Sequence, residues 1–259
     1  MKNEVNGQGL LKFSEANDKL KKLQNRTGRK VRSMSLKAGY SCPGAKDCKA
    51  HSDSVKRLKV AGKDTEFVCF AASLEAIFPG FNANNQHNFD LVVRTKAEDQ
   101  LVELILRSLE ANGVKDGEIF RPHIAGDYVS EKYFRAWMRA AALRPLVHFY
   151  ACTKSVHYWI RNLDLVPSNF NLTASKGGRF DALISEHGLK YSQVVYSEAE
   201  AEALGLEIDH DDSHACFGDK PFGLLIHGAQ KKGSKAAEAV AEIIKARKMA
   251  KVAEMGLAA

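Results

Sequence analysis

Leu146-Val-His-Phe-Tyr-Ala151 runs straight into Cys152-Thr-Lys-Ser155 and then into Val156-His-Tyr-Trp-Ile-Arg-Asn-Leu163. A short, largely apolar run that stops at small polar groups, with a helix-compatible segment behind it, reads as one strand–helix unit. The same grammar recurs on both sides. Residues 119–124 stop at Gly126-Asp127 and precede a helix over 130–143, with Ser130 as its N-cap. Residues 169–173 stop at Ser175 before a helix over 179–187, and residues 192–196 stop at Ser197 before one over 198–204. Residues 222–226 stop at His227-Gly228, and a last helix starts at Ser234. Consecutive units of this kind predict parallel strands, right-handed crossovers and helices outside the sheet. No strand is followed by Gly-x-Gly-x-x-Gly, which argues against a dinucleotide-binding sheet. The expected fold is α/β: a TIM-barrel-like (βα) parallel barrel, complete or partial, in one domain over 1–259, with an N-terminal cysteine-bearing extension.

Towards the N-terminus, residues 1–40 read as a basic helix over 10–25, capped by Ser14 or Asn17, and a lead-in strand over 31–36. Residues 41–70 form a cysteine-bearing loop region, with a polar surface loop over 49–65. A helix over 71–78 is expected to stop at Pro79-Gly80. Leu101, Leu104, Ile105, Leu106 and Leu109 give an apolar side to a second helix over 97–112. Residues 234–259 are a C-terminal helix and tail. With 45% hydrophobic residues the chain can bury a sizeable core. It has no run of eighteen apolar residues, so no membrane span is expected. No apolar segment follows the first residues, so a secretory signal is not expected either. The expected compartment is a cytoplasm, where thiols stay reduced and clustered cysteines favour metal over disulfides. Charge is uneven. Residues 1–63 carry sixteen Lys+Arg against five Asp+Glu, and the remainder 22 against 26. A basic front end suits nucleic acid or another anionic partner, or is simply a solvated surface.

Three of the five cysteines lie close together, in Ser41-Cys-Pro-Gly-Ala-Lys-Asp-Cys48 and Phe67-Val-Cys-Phe70. The spacing of Cys42, Cys48 and Cys69 matches neither the paired Cys-x-x-Cys of zinc ribbons nor a ferredoxin run. Three thiolates with an open position suit a 4Fe-4S cluster whose fourth iron takes water or a substrate. A zinc ion and ordinary buried thiols are the alternatives. Cys152, at a strand exit, is the best internal candidate for a fourth ligand, and strand alternation puts it on the face of His148 and Tyr150. Cys216 is a weaker candidate. In a βα barrel reactive groups sit where strands end. Asp127, Lys154 and Ser175, with Thr153 and Ser155, would there bind a small polar ligand, anionic or zwitterionic. Helix capping is the other reading of these residues. Asp209-His-Asp-Asp-Ser-His-Ala-Cys216 is dense in ligand types. His210 and His214 in it suit a second metal site or a polar loop bordering the mouth. His123, just before the Gly126-Asp127 turn, is placed to point into the barrel.

These stretches resemble the bacteriophage gene product 88 family. The resemblance is carried by Ser35-Leu-Lys-Ala-Gly-Tyr-Ser-Cys-Pro-Gly-Ala45 with Cys48, Phe67-Val-Cys-Phe-Ala-Ala-Ser-Leu-Glu-Ala76 and Phe120-Arg-Pro-His-Ile-Ala-Gly-Asp127. Phe149-Tyr-Ala-Cys-Thr-Lys-Ser155, Asn171-Leu-Thr-Ala-Ser175 and Phe222-Gly-Leu-Leu-Ile-His-Gly228 continue it. A fainter resemblance is to radical S-adenosylmethionine enzymes, which place a four-iron cluster at the mouth of a βα barrel. The chain departs from those enzymes in lacking the compact Cys-x3-Cys-x2-Cys loop and the Gly-Gly-Glu strand exit. The resemblances imply a phage protein of the host cytoplasm that binds a cluster through Cys42, Cys48 and Cys69. S-adenosylmethionine is a second cofactor that only the fainter one implies. The rival expectation is a nucleic-acid-binding or host-takeover protein whose metal staples the loop.

Overall fold

The computed structural model describes residues 4–5, 8–53, 57–60 and 65–257. Its main sheet has eight strands: β1 (Phe13–Glu15), β2 (Val31–Met34), β3 (Ile119–Arg121), β4 (His148–Thr153), β5 (Phe170–Ser175), β6 (Tyr191–Val195), β7 (Glu207–Ile208) and β8 (Phe222–Leu225). In space they run β7-β8-β6-β5-β4-β3-β2-β1. Every pairing is parallel except that of β1 with β2. From β2 to β6 each strand lies beside its predecessor in sequence, so the chain winds in one direction. The order turns back only at the last pair. Among the described residues no ladder joins β1 to β7. The architecture is therefore a mixed α/β fold with a mostly parallel sheet, and the closure expected of a TIM barrel is not among its pairings.

Among the described residues ten α-helices accompany the strands: α1 (Asp18–Thr27), α2 (Phe70–Ile77), α3 (Pro79–Arg94), α4 (Glu98–Ala111), α5 (Glu131–Ala142), α6 (Val156–Ile160), α7 (Asp181–Glu186), α8 (Glu198–Ala203), α9 (Ser213–Phe217) and α10 (Lys235–Leu257). Strand alternation divides the core in two. Phe120, Phe149, Ala151, Phe170 and Leu172 face Leu101 and Ile105 of α4 and Phe134 and Trp137 of α5. Val31, Ile119, Tyr150 and Phe222, on the other face, meet Leu20 and Leu23 of α1 and Ala215 and Cys216 of α9. Each large apolar side chain so buried contributes roughly 1.5–3 kcal/mol. No helix among the described residues is long and apolar enough to cross a membrane.

Several expectations shift. Residues 13–15 pair as β1 rather than joining the first helix, and Asn17, not Ser14, caps α1 by accepting from the Leu20 amide at 3.0 Å. The 49–65 segment, expected as a polar loop, carries a hairpin of Ala50–Ser52 with Leu58–Val60. Ala50 and Ser52 are buried there, and residues 54–56 and 61–64 of that segment lie outside the described ones. Pro79 ends nothing. It opens α3, where its missing N–H costs no helical bond. The strand expected over 119–124 leaves the ladder after Arg121, because His123 (φ 60°) and Gly126 (φ 83°) turn the chain aside.

The 209–216 stretch is irregular over 209–212, where Asp212 meets the cavity-lining Arg121. It leads into α9, which lies across β4 and β5: His148 Nε2 and Asn171 Nδ2 both bond the Cys216 carbonyl, at 2.8 and 3.0 Å. Much of the basic N-terminal charge is directed onto it and its neighbours. Lys19 pairs with Asp212 at 2.6 Å, Arg26 with Asp211 at 3.1 Å and Arg32 with Glu118 at 3.0 Å. Arg29 donates to the carbonyls of Gly117 and Glu118.

Candidate functional site at the strand exits

The loop bearing Cys42 and Cys48 is laid directly on the exits of β4 and β5. Arg179 N donates to Gly44 O at 2.9 Å, and the amides of Lys46 and Asp47 donate to Gly177 O. Gly44 permits this approach, since a Cβ there would stand 2.1 Å from the Lys154 carbonyl oxygen. Gly126 does the same on the β3 side. It holds a left-handed backbone, and a Cβ would fall 2.5 Å from Ser41 Oγ. Lys49 Nζ closes the loop from below, donating to the carbonyls of Gly39 and Cys42 at 3.1 and 2.8 Å. Cys69 arrives separately, as the N-cap residue of α2. The preceding Val68 is clamped by Gln230, which accepts from its amide at 2.8 Å and donates to its carbonyl at 3.1 Å.

The result is a cavity of about 190 Å³. Cys42, Cys48, Cys69, Asp127, Lys154 and Ser175 all line it. The residues singled out from sequence at two cysteine segments and three strand exits therefore share one space. A more open hollow of about 740 Å³ lies beside Lys37, Tyr40 and Asn82 and holds none of the cysteines.

Burial pushes the Cys42 thiol far up, and Asp127, Cys69 and Cys48 push it further. Cys69 is pushed up to about 11, first by burial and then by Cys48, against the amides of Ala72 and Ala71 and the Lys154 ammonium. With no cation bound these groups are neutral thiols. A bound metal reverses that preference and releases protons.

The strand-exit residues have partners of their own. Asp127 accepts from Thr153 Oγ1 at 2.6 Å, from the Tyr128 amide at 2.7 Å and from the Lys154 amide at 2.8 Å. Its carboxylate thus ties the exit of β3 to that of β4, and burial raises its pKa despite those bonds. Lys154 Nζ donates to Ser175 Oγ at 2.7 Å and to the Lys176 carbonyl at 2.8 Å. Ser155 donates to the Tyr128 carbonyl, a structural bond.

Cys152 also lines the cavity, with Arg121 and His123, but at a different level. Burial raises its pKa most, and the leading charges acting on it are Arg121, Asp212, Lys190 and Lys19. Arg121 pairs with the buried Asp212. Asp212 also accepts from Tyr150 Oη at 2.9 Å and pairs with Lys19. His123 meets Tyr133 Oη through Nε2 at 3.2 Å, and its pKa is lowered to about 3 by burial and then by Arg121. In the sequence Arg121 is a lone arginine closing an apolar strand, and Asp212 is one member of the ligand-dense 209–216 stretch; neither carries a local sign of their pairing. His123 lines the cavity, with its ring packed against Tyr128, Tyr133 and Trp137.

The second metal site is not assembled. His214 Nε2 meets Glu207 at 2.8 Å, while His210 is exposed. Cys216 is buried under α1, away from the thiol-lined cavity. Among the described residues, no group of three or more His, Cys, Asp or Glu side chains is placed to hold a metal ion.

The family model described as "Gene product 88" matches residues 10–250. No curated protein and no solved structure matches the chain. None of these comparisons supports the resemblance to radical S-adenosylmethionine enzymes.

Proposed function

The chain belongs to the gene product 88 family, and from that premise and the thiol-lined cavity we propose that it is a phage iron–sulfur protein of the host cytoplasm. Cys42, Cys48 and Cys69 hold a four-iron cluster, leaving one iron without a cysteine. The observation that carries this is the convergence of three partly buried thiols, from two separate segments, on one cavity where each is within electrostatic reach of another. A cubane offers its irons at separate corners, so its thiolates stand farther apart than the ligands of a single ion. A site for it need not close on one point. Lys154 supplies a buried positive charge beside Cys69, which favours thiolate there. Ser175 fixes the Lys154 ammonium, and Asp127 fixes the backbone that carries it. When bound, the cluster supplies electron transfer or Lewis-acid chemistry at its open corner. The one-directional winding from β2 to β6 supports reading the sheet as part of a βα barrel.

The test is purification without oxygen, followed by iron, acid-labile sulfide and visible absorbance. A brown protein with matching iron and sulfide is the expected result. A colourless protein that carries zinc or no metal overturns the reading. If that colourless protein also shifts DNA at moderate salt, the basic N-terminal region is the functional surface instead.

A further inference from the structure

The deepest part of the cavity is polar and short of partners. Arg121 Nε, His123 Nδ1, Thr173 Oγ1 and Ser192 Oγ are buried and have no hydrogen-bond partner among the described residues. Strand register gathers them. Cys152 on β4 pairs across from Thr173 on β5, and Ser175 pairs across from Ser192 on β6. Arg121, His123, Cys152 and Ser175 line the cavity directly. A buried donor without a partner costs about 1–3 kcal/mol, so several in one place call for a cause.

Charge gives the sign of that cause. Asp212 is shared by two cations, Arg121 and Lys19, and also takes the Tyr150 hydroxyl. Lys154 is buried and its ammonium bonds neutral oxygens of Ser175 and Lys176. Both oxygens of Asp127 already carry protein donors. The unmatched group on a cation here is the Nε–H of Arg121, a donor that calls for an acceptor. Backbone strain marks the same spot: His123 and Asp212 are the non-glycine residues with positive φ among those described, and they flank Arg121. Strain of this kind is retained where the surroundings over-determine it, and it concentrates at ligand clamps.

We propose that this floor is a receptor for a small oxyanion-bearing molecule, carboxylate or phosphate, held by the free Nε edge of Arg121 and by His123 beneath the three-cysteine rim. The guanidinium edge suits a two-oxygen acceptor. His123 stays neutral, so it bonds the ligand without adding charge. A cavity of about 190 Å³ is below the roughly 300–1,000 Å³ of pockets for drug-sized ligands, which limits the occupant to a few heavy atoms beyond the anionic group. The placement deepens the cluster reading, because Arg121 and His123 line the same cavity as the three cysteines, but the anion site stands on Arg121 and His123 alone.

The experiment titrates acetate, glycolate and inorganic phosphate into the protein as purified without oxygen, at constant ionic strength with chloride as the control, and follows Tm. The expected result is a saturable rise with acetate and glycolate, with phosphate, or with both. The arm that saturates at lower concentration identifies the class. Arg121→Lys keeps the charge but loses the Nε–H, and it should weaken binding by about tenfold or more. His123→Asn, which tolerates a left-handed backbone, should weaken it severalfold. Iron and sulfide are counted on the same samples. Saturation by an oxyanion in a sample without iron keeps this inference and removes the cluster. A loaded protein that responds to the oxyanions no more than to chloride, or an Arg121→Lys protein that binds as wild type, overturns it.

Discussion

Lys37 and Glu75 form an ion pair at 3.1 Å with almost no exposed surface, and it joins the base of the Cys42 loop to the helix that starts at Cys69. Ser52 and Asn82 also bond the ammonium, while Asn85 and the Ala38 amide bond the carboxylate. The two cysteine segments are thus held in register by a charge pair that touches neither thiol.

Removing one partner leaves the other charge buried and unpaired, which costs about 3–5 kcal/mol. Lys37→Met and Glu75→Gln should each lower urea stability by that order. The double variant should recover part of the loss, while its iron retention stays below wild type. Wild-type stability in both single variants would show that the pair is not a clamp.

Cys42→Ala, Cys48→Ala and Cys69→Ala should each lose iron and acid-labile sulfide. Cys152→Ala and Cys216→Ala should keep them. Cys152 belongs electrostatically to Arg121 and Asp212, and Cys216 to the packing under α1. Loss of iron from Cys152→Ala alone would make it a fourth ligand and remove the open corner.

Gly44→Ala forces a Cβ against the Lys154 carbonyl. Overpacking of this kind costs about 1–3 kcal/mol. The loop has to lift off the β4 exit, so iron retention should fall more than Tm does. A Gly44→Ala protein with wild-type iron content would show that the contact is dispensable to the site.

His123 gives a pH signature. Its ordinary pKa is about 6.5, and in the fold it is lowered to about 3. Above pH 6.5 both folded and unfolded forms are neutral, so it has no effect. As pH falls below 6.5 the unfolded chain takes up the proton and the folded chain does not. Stability should therefore drop down to about pH 3, by a few kcal/mol in all. His148, also lowered by burial, adds to the same slope. Urea midpoints between pH 7 and pH 4 should show a shallower slope in His123→Asn than in wild type.

The parallel strands and their exits were legible because each strand is an apolar run punctuated by small polar groups, and because Ser130 and Ser197 cap the helices that follow. The meeting of cysteines and exits followed from chain direction alone. Elements held by buried polar side chains were not legible. The asparagines of α3 look like loop residues until Asn85 finds Glu75 and Asn88 finds the Ser35 carbonyl. The acidic run before α9 looks solvated until Arg121 and Lys19 meet Asp212. Such pairings join residues far apart in sequence, so no local pattern announces them. A barrel, complete or partial, was expected from the repeat of units; the sheet is mostly parallel, and β7 and β8 exchange places at its end.

The Gln230 clamp on Val68 spans 162 residues. During synthesis at about 5–20 residues per second, the segment carrying Cys69 leaves the ribosome roughly eight to thirty seconds before the residue that seats it. The nascent thiols spend that interval unplaced and open to oxidation or stray metal. On the cluster reading, loading of the site belongs after Gln230 has emerged, and a metal donor supplied by co-expression should matter most from that point on.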